Sequence, residues 1–329
     1  YVTTICSTKT HKGNPSVAHK LFDHLTFEPF RVARIIGLKG RLTRKALSET
    51  MSALHLHEQR KTAMIHYLVF DIETRVDKEL VKEVYDPENS LTLEQAYDTA
   101  RDQILERSGQ QNDFFPVPFH IPISISTLQA DDNYRIRSIG SIGIDRFSEA
   151  ELVVRFWQMF ENVRTLVTFN GRGFDLPVLE TRALKHGISL PRYFAAGEAR
   201  STYRGSRYSD SYHIDLCDFL SNFGAAFRRN PLNVLAKLIG LPGKYSIAGE
   251  DVEYLYRQGR LKEINQYCMT DVLQTFLLFL RVELMRGRMD SNAYQEAVAA
   301  ARENLMQRAA GAGAENFLQD FLQRWKLPQ

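Results

Sequence analysis

Three cysteines in 329 residues, Cys6, Cys217 and Cys268, are too few, too far apart and of the wrong parity for a disulfide framework. No CxxC pair occurs, so a cysteine-rich zinc site is not indicated, and the usage suits a reducing cytoplasm. Long apolar runs are missing too. Nothing approaches the ~18 consecutive apolar residues of a membrane span, and no signal-peptide core is seen. Internal repeats are absent, and the one biased stretch, AAGAGAE at 309–315, reads as a helix break. What is present is ordinary globular material, 44% apolar and 25% charged, with ample length for a core.

Charge of negative sign is scarce at one end. Residues 1–63 carry 11 Lys/Arg against 4 Asp/Glu, leaving 31 against 35 for the rest of a chain whose net charge is +3. A basic arm on a slightly acidic body suits nucleic-acid attraction, and its Arg-rich, acid-poor composition also resembles a transit peptide. The segment lacks strand alternation and begins at Tyr1 rather than Met, so it is expected to be an extension outside the domain. The domain is expected over 64–285, followed by a helical tail over 286–329.

The stretch YLVFDIET, 67–74, is an apolar, β-branched run carrying two carboxylates. Side chains on a strand alternate faces, so Asp71 and Glu73 point the same way. Like charges held that close raise each other's pKa, and a positive charge is expected between them. Beyond this strand, SLTLEQAYDTARDQILERSG (90–109) reads as a helix capped at Ser90 or Thr92 and closed by Gly109. PFHIPISISTLQ and YRIRSIGSIGI alternate around the turn ADDN and form a hairpin. A serine-capped helix (148–163), a short buried strand (164–170) and a helix from about Leu176 to His186 follow. YHIDLCDFL is a strand running into a turn or helix, and the remainder is helical. The order predicts an α/β fold around a mixed sheet, with the first strand at its centre.

Two more acids belong with the first pair. In LVTFNGRGFDLPVL a strand delivers Asn170, a glycine-relaxed turn follows, and Asp175 stands close to a helix start. In INQYCMTDVLQT, Tyr267 and Asp271 are four apart, hence on one helix face. Taken singly, each has a plainer reading: a strand end, a helix cap, a structural helical pair. Together, four carboxylates from three distant segments plus a tyrosine have the composition that two-metal phosphodiester chemistry needs. The ions are expected to be Mg²⁺ or Mn²⁺, hard cations that favour oxygen ligands.

FDIET, NGRGFDLP and YCMTD resemble, in order, the three motifs of the DEDD superfamily of 3′–5′ exonucleases, in the subclass whose third motif is Tyr-x-x-x-Asp. The likeness is to the predicted exonucleases related to the proofreading domain of family B DNA polymerases, and HIDLCDFL and GEDVEYLYRQGRLKEINQYC share it. It covers roughly residues 64–285. The resemblance implies a ribonuclease H-like mixed sheet flanked by helices, with additional C-terminal helices here. It implies Asp71, Glu73, Asp175 and Asp271 as ligands of two divalent cations, and Tyr267 as the group orienting the nucleophilic water. It implies removal of nucleotides from single-stranded 3′ ends, DNA before RNA, as nucleoside monophosphates.

Substrate grip is expected from PRYFAAGEARSTYRGSRYSD, 191–210, where Arg192, Arg200, Arg204 and Arg207 alternate with Tyr193, Tyr203 and Tyr208. Arginines hold phosphates bidentately and tyrosines stack on unpaired bases. A solvated loop is the plainer reading. Arg228 and Arg229 form a second candidate patch, and Asn170 supports either the site or its own turn. His213 and Asp215 form another two-apart pair, for which Asp215 and Asp218 fixing the local turn by hydrogen bonds is preferred over a metal role. Rival functions are an RNA-trimming enzyme, an oligonucleotide scavenger and a non-catalytic nucleic-acid-binding module; a protein partner or self-association is left open.

Overall fold

Alternation in the first apolar run becomes the middle strand of a five-stranded mixed sheet. The computed structural model describes residues 65–143, 148–194, 207–225, 230–244, 249–311 and 316–326. The basic segment 1–63 lies outside these, as do Arg200, Tyr203, Arg204, Arg228 and Arg229. The chain divides between residues 61 and 62, and every strand and helix named below belongs to the second unit.

β1 (Ile65–Val76) pairs antiparallel with β2 (His120–Ala130), which pairs antiparallel with β3 (Ile136–Ile142). On its other side β1 runs parallel to β4 (Val163–Thr168), and β4 parallel to β5 (His213–Asp215). The order is β3-β2-β1-β4-β5. Leu68, Phe70 and Ile72 enter one apolar layer with Leu152, Val153 and Phe156 of α3 (Glu149–Phe160) and Leu176, Val178 and Leu179 of α4 (Asp175–Lys185). Val69 faces the opposite layer, with Val272, Leu273 and Phe276 of α9 (Leu261–Met285). Period-two alternation therefore puts Asp71 and Glu73 beneath α9. The β1–β2 register shifts between Glu73 and Thr74, a bulge directly after the second acid.

The helices begin where short polar side chains satisfy their free N–H groups. Thr92 with Gln95 caps α2 (Leu93–Arg107), and Ser148 with Glu151 caps α3, each as a reciprocal box. Asp77 caps α1 (Lys78–Tyr85), a helix that the sequence pattern did not announce because it follows β1 after one residue. Smaller helices are α5 (Pro191–Phe194), α6 (Leu216–Leu220), α7 (Leu232–Leu238) and α8 (Val252–Arg257). The last two, α10 (Ser291–Ala310) and α11 (Asn316–Arg324), share α9's apolar layer through Leu305, Leu318 and Phe321, joined by Trp325 just past α11. The stripe of Phe317, Leu318, Phe321, Leu322 and Trp325 thus packs on the chain's own core. No described helix is long and apolar enough to cross a membrane.

Candidate active site

Three segments deliver the acids. β1 carries Asp71 and Glu73 on its α9 face, with Ser126 and Ser124 opposite them on β2. Ser124 Oγ donates to Asn265 Oδ1 at 2.6 Å, fastening β2 to the start of α9. α9 supplies Tyr267 and Asp271, both buried, and Cys268 between them. The third segment is the turn between β4 and α4. Asp175 is the first residue of α4 rather than its cap, since Phe174 holds that place without a side-chain bond. Its Oδ1 instead accepts the N–H of Ile72 at 3.3 Å, between the two acids of β1. Gly171 is required in this turn, because a Cβ there would lie 2.6 Å from the Thr168 side chain.

The electrostatics follow from crowding. Burial pushes the Asp71 carboxyl well above the usual range, and Asp175, Glu73 and Asp271 push it further. Glu73 rises well above its ordinary value through burial and then Asp271. Burial carries Asp175 up to about 7 and Asp271 up to about 6. Asp271 is relieved by Lys244, whose Nζ lies 3.7 Å from its Oδ2, and by Gln274 Nε2, which donates to its Oδ1 at 3.1 Å. Asp71 with three further carboxyls raising it is costly when ionised, and a divalent cation is the counter-charge that such oxygen donors fit. Potential ligating atoms of Asp71, Glu73 and Cys268 lie within 4.8 Å of one another.

Tyr267 is held in the neutral phenol form: burial, then Asp271, Glu73 and Asp71, push its pKa far above the ordinary value. Its oxygen accepts a hydrogen bond from Lys244 Nζ, which also sits 5.0 Å from the ring centroid. Cys268 Sγ donates to the Asp71 carbonyl at 3.3 Å and lies 3.6 Å from Asp71 Oδ2. Burial, then Asp71 and Glu73, raise the thiol well above its usual value, so it is a donor rather than a thiolate. Neither Lys244 nor Cys268 was singled out from the sequence. No spacing links Lys244 to Tyr267, 23 residues later, and the available signal was a lysine in the turn LPGK with no assigned work. Cys268 stood in plain view inside QYCMTD.

The expected grip residues divide. Arg192 donates to the Val163 carbonyl at 2.9 Å, and Tyr193 is buried in the α3–α4 layer. Arg207 spends Nε and Nη2 on Asp218, at 3.1 and 2.7 Å, while Tyr208 is exposed. Asn170 adopts a left-handed backbone at φ 65°, and its carbonyl accepts the N–H groups of Gly173 and Phe174. Arg200, Tyr203 and Arg204 lie outside the described residues.

No curated protein matches the chain. A family model described as predicted 3′–5′ exonuclease related to the exonuclease domain of PolB matches residues 112–325, taking in Asp175, Lys244, Tyr267 and Asp271 and beginning after β1. With that match running over more than half of its length, and a ribonuclease H-like mixed sheet beneath it, the chain belongs to this family of predicted 3′–5′ exonucleases.

Proposed function

We propose that the protein removes nucleotides one at a time from the 3′ end of a single-stranded nucleic acid, DNA in the first place, and releases nucleoside monophosphates. The observation that carries this reading is the proximity of the acids beside α9: Asp175, Glu73 and Asp271 all raise the Asp71 carboxyl, and Lys244 lies 3.7 Å from Asp271. These four carboxylates would hold two divalent cations, Mg²⁺ or Mn²⁺, which supply a more acidic water and stabilise the leaving oxygen. Tyr267 orients rather than abstracts. Its phenol keeps its proton, its oxygen already accepts from Lys244, and its O–H is left to donate towards the attacking water. Lys244 fixes the phenol and offsets part of the negative charge. The neutral thiol of Cys268 braces the Asp71 backbone from the same helix.

For the substrate strand, Arg200 and Arg204 are proposed to take phosphates and Tyr203 a base, with Asn170 as a further contact from the β4–α4 turn. Arg207 contributes less directly, since two of its donors are engaged by Asp218.

The test is digestion of 3′-labelled and 5′-labelled oligonucleotides, as matched DNA and RNA strands, with Mg²⁺ or Mn²⁺ titrated in. Stepwise shortening from the 3′ end, lost in Asp71→Asn with strand binding intact, is the expected result. Undiminished digestion by Asp71→Asn would overturn the site. Faster turnover of RNA, or of dinucleotides over 20-mers, would move the substrate assignment without moving the chemistry.

A further inference from the structure

Asp215 sits at the end of β5, beside the turn that delivers Asp175. Its carboxylate is spent on backbone. Oδ1 accepts the N–H groups of Asn170 at 2.9 Å, Cys217 at 3.0 Å and Asp218 at 3.2 Å, and Oδ2 accepts that of Arg172 at 2.9 Å. Two of these donors cap α6, and the other two belong to the Asn170–Gly173 turn. Hydrogen bonds from backbone N–H groups to a carboxylate are charge-assisted, so the set is stronger than its number suggests.

Other bonds tie the same turn to the same strand. Arg172 Nη2 donates to the His213 carbonyl at 2.9 Å, and the His213 ring meets Thr168 Oγ1 at 2.7 Å through Nε2. Thr168 is the residue on which Gly171 closes so tightly. Asn170 takes a left-handed backbone conformation, φ 65°, at the head of this turn. From this anchored turn the chain reaches Asp175 within three residues of Arg172, and Phe174, at the cap position, adds no side-chain bond to hold the helix start.

We propose that Asp215 is a positioning residue for Asp175: it holds the β4–α4 turn in the one backbone path that brings the Asp175 carboxylate to the β1 acids. This rests on the exonuclease reading of the pocket, since it presumes that Asp175 is a working ligand. With both oxygens occupied by N–H groups, Asp215 acts through the turn and takes no cation itself.

Asp215→Asn separates the roles. The amide keeps Oδ1 with its three donors, but its N–H₂ faces the Arg172 N–H, so one stitch becomes a repulsion. Mn²⁺ binding, read from the electron paramagnetic resonance of the free ion, is expected to weaken roughly 10–100-fold, as for supporting residues around metal ligands. kcat on a 3′-labelled single strand should fall, KM for the strand should change little, and raised Mn²⁺ should restore part of kcat. Asp215→Ala, which removes all four contacts, should be more severe; if it fails to fold, Asp215→Asn decides. A lower melting temperature with Mn²⁺ affinity and kcat at wild-type values would overturn the proposal, because that is what a merely structural cap would give. Asp175→Asn is the control. If it keeps full activity, the exonuclease reading of the pocket has failed. If it is inactive while Asp215→Asn equals wild type, the positioning role alone has failed.

Discussion

Around Tyr267 each partner limits what the phenol can do. On the proposed reading, a neutral hydroxyl that accepts from Lys244 and is left to donate to water is a geometric device, and its removal should be felt in kcat rather than in strand affinity. Tyr267→Phe is expected to lower kcat by roughly 10²-fold, the scale of a nucleophile misplaced by about 1 Å, with KM nearly unchanged. Lys244→Met should show a loss in the same direction, because the phenol loses its fixed partner and Asp271 loses a counter-charge. Single-turnover digestion at saturating strand reads both, and a variant raising KM alone would assign these groups to binding. Single residues also show unevenly what sequence can reveal. That Asp71, Glu73, Asp175, Tyr267 and Asp271 lie near one another was legible because alternation, a glycine turn and a four-residue helical spacing each leave a local pattern. Lys244 left none, since its partner is contributed by another element. Arg192 and Tyr193 misled for a related reason: a carbonyl of β4 and the α3–α4 core claim them, and composition does not record such partners.

Among the elements, α4 bears two burdens, presenting Asp175 at its first residue and a buried arginine two turns later. Arg182 is 2% exposed; Nη1 and Nη2 both reach Asp77 Oδ2 at 2.9 Å, Nε donates to the His120 carbonyl at 2.7 Å, and Glu149 lies 3.2 Å away. The pair fastens α4 to the start of α1 and to β2. Arg182→Met keeps the bulk but leaves the Asp77 carboxylate with only Lys185 Nζ at 3.4 Å and the Leu80 N–H at 3.2 Å, at an expected cost of about 1–3 kcal/mol by denaturant unfolding. A loss below about 1 kcal/mol would show the network to be screened like a surface pair. The strand–hairpin–helix order, the caps at Thr92 and Ser148, and the helix under the third motif all followed from periodicity and capping chemistry. The missing piece was α1. Its Asp77 cap follows β1 directly, so no turn residues separate the two patterns.

For the whole molecule, the acid pocket links stability to pH and to metal. Carboxyls raised by folding bind protons more tightly in the native than in the unfolded chain. Stability from that source is full below the ordinary carboxylate range and is lost as pH rises towards about 6 and 7, the values of Asp271 and Asp175. The metal-free protein should therefore lose melting temperature between pH 5 and 8 more steeply than Asp175→Asn does, and Mg²⁺ should raise it more at pH 8 than at pH 5. An identical pH slope in wild type and variant would contradict this. The C-terminal helices are part of the same body. Phe321 is fully buried, and Phe321→Ala should cost about 3–5 kcal/mol in thermal or denaturant unfolding.

The place of β1, flanked on both sides, also sets a clock. Between Tyr67 and Val69, where both neighbours pair with it, its amides can meet solvent deuterium only after β2 or β4 has come away, so they should be among the slowest to exchange, opening only with the entire domain. Two of the proposed ligands thus sit just beyond the last backbone to be released. Fraying at the margins would leave that anchor untouched, and its disassembly would coincide with the end of the folded molecule.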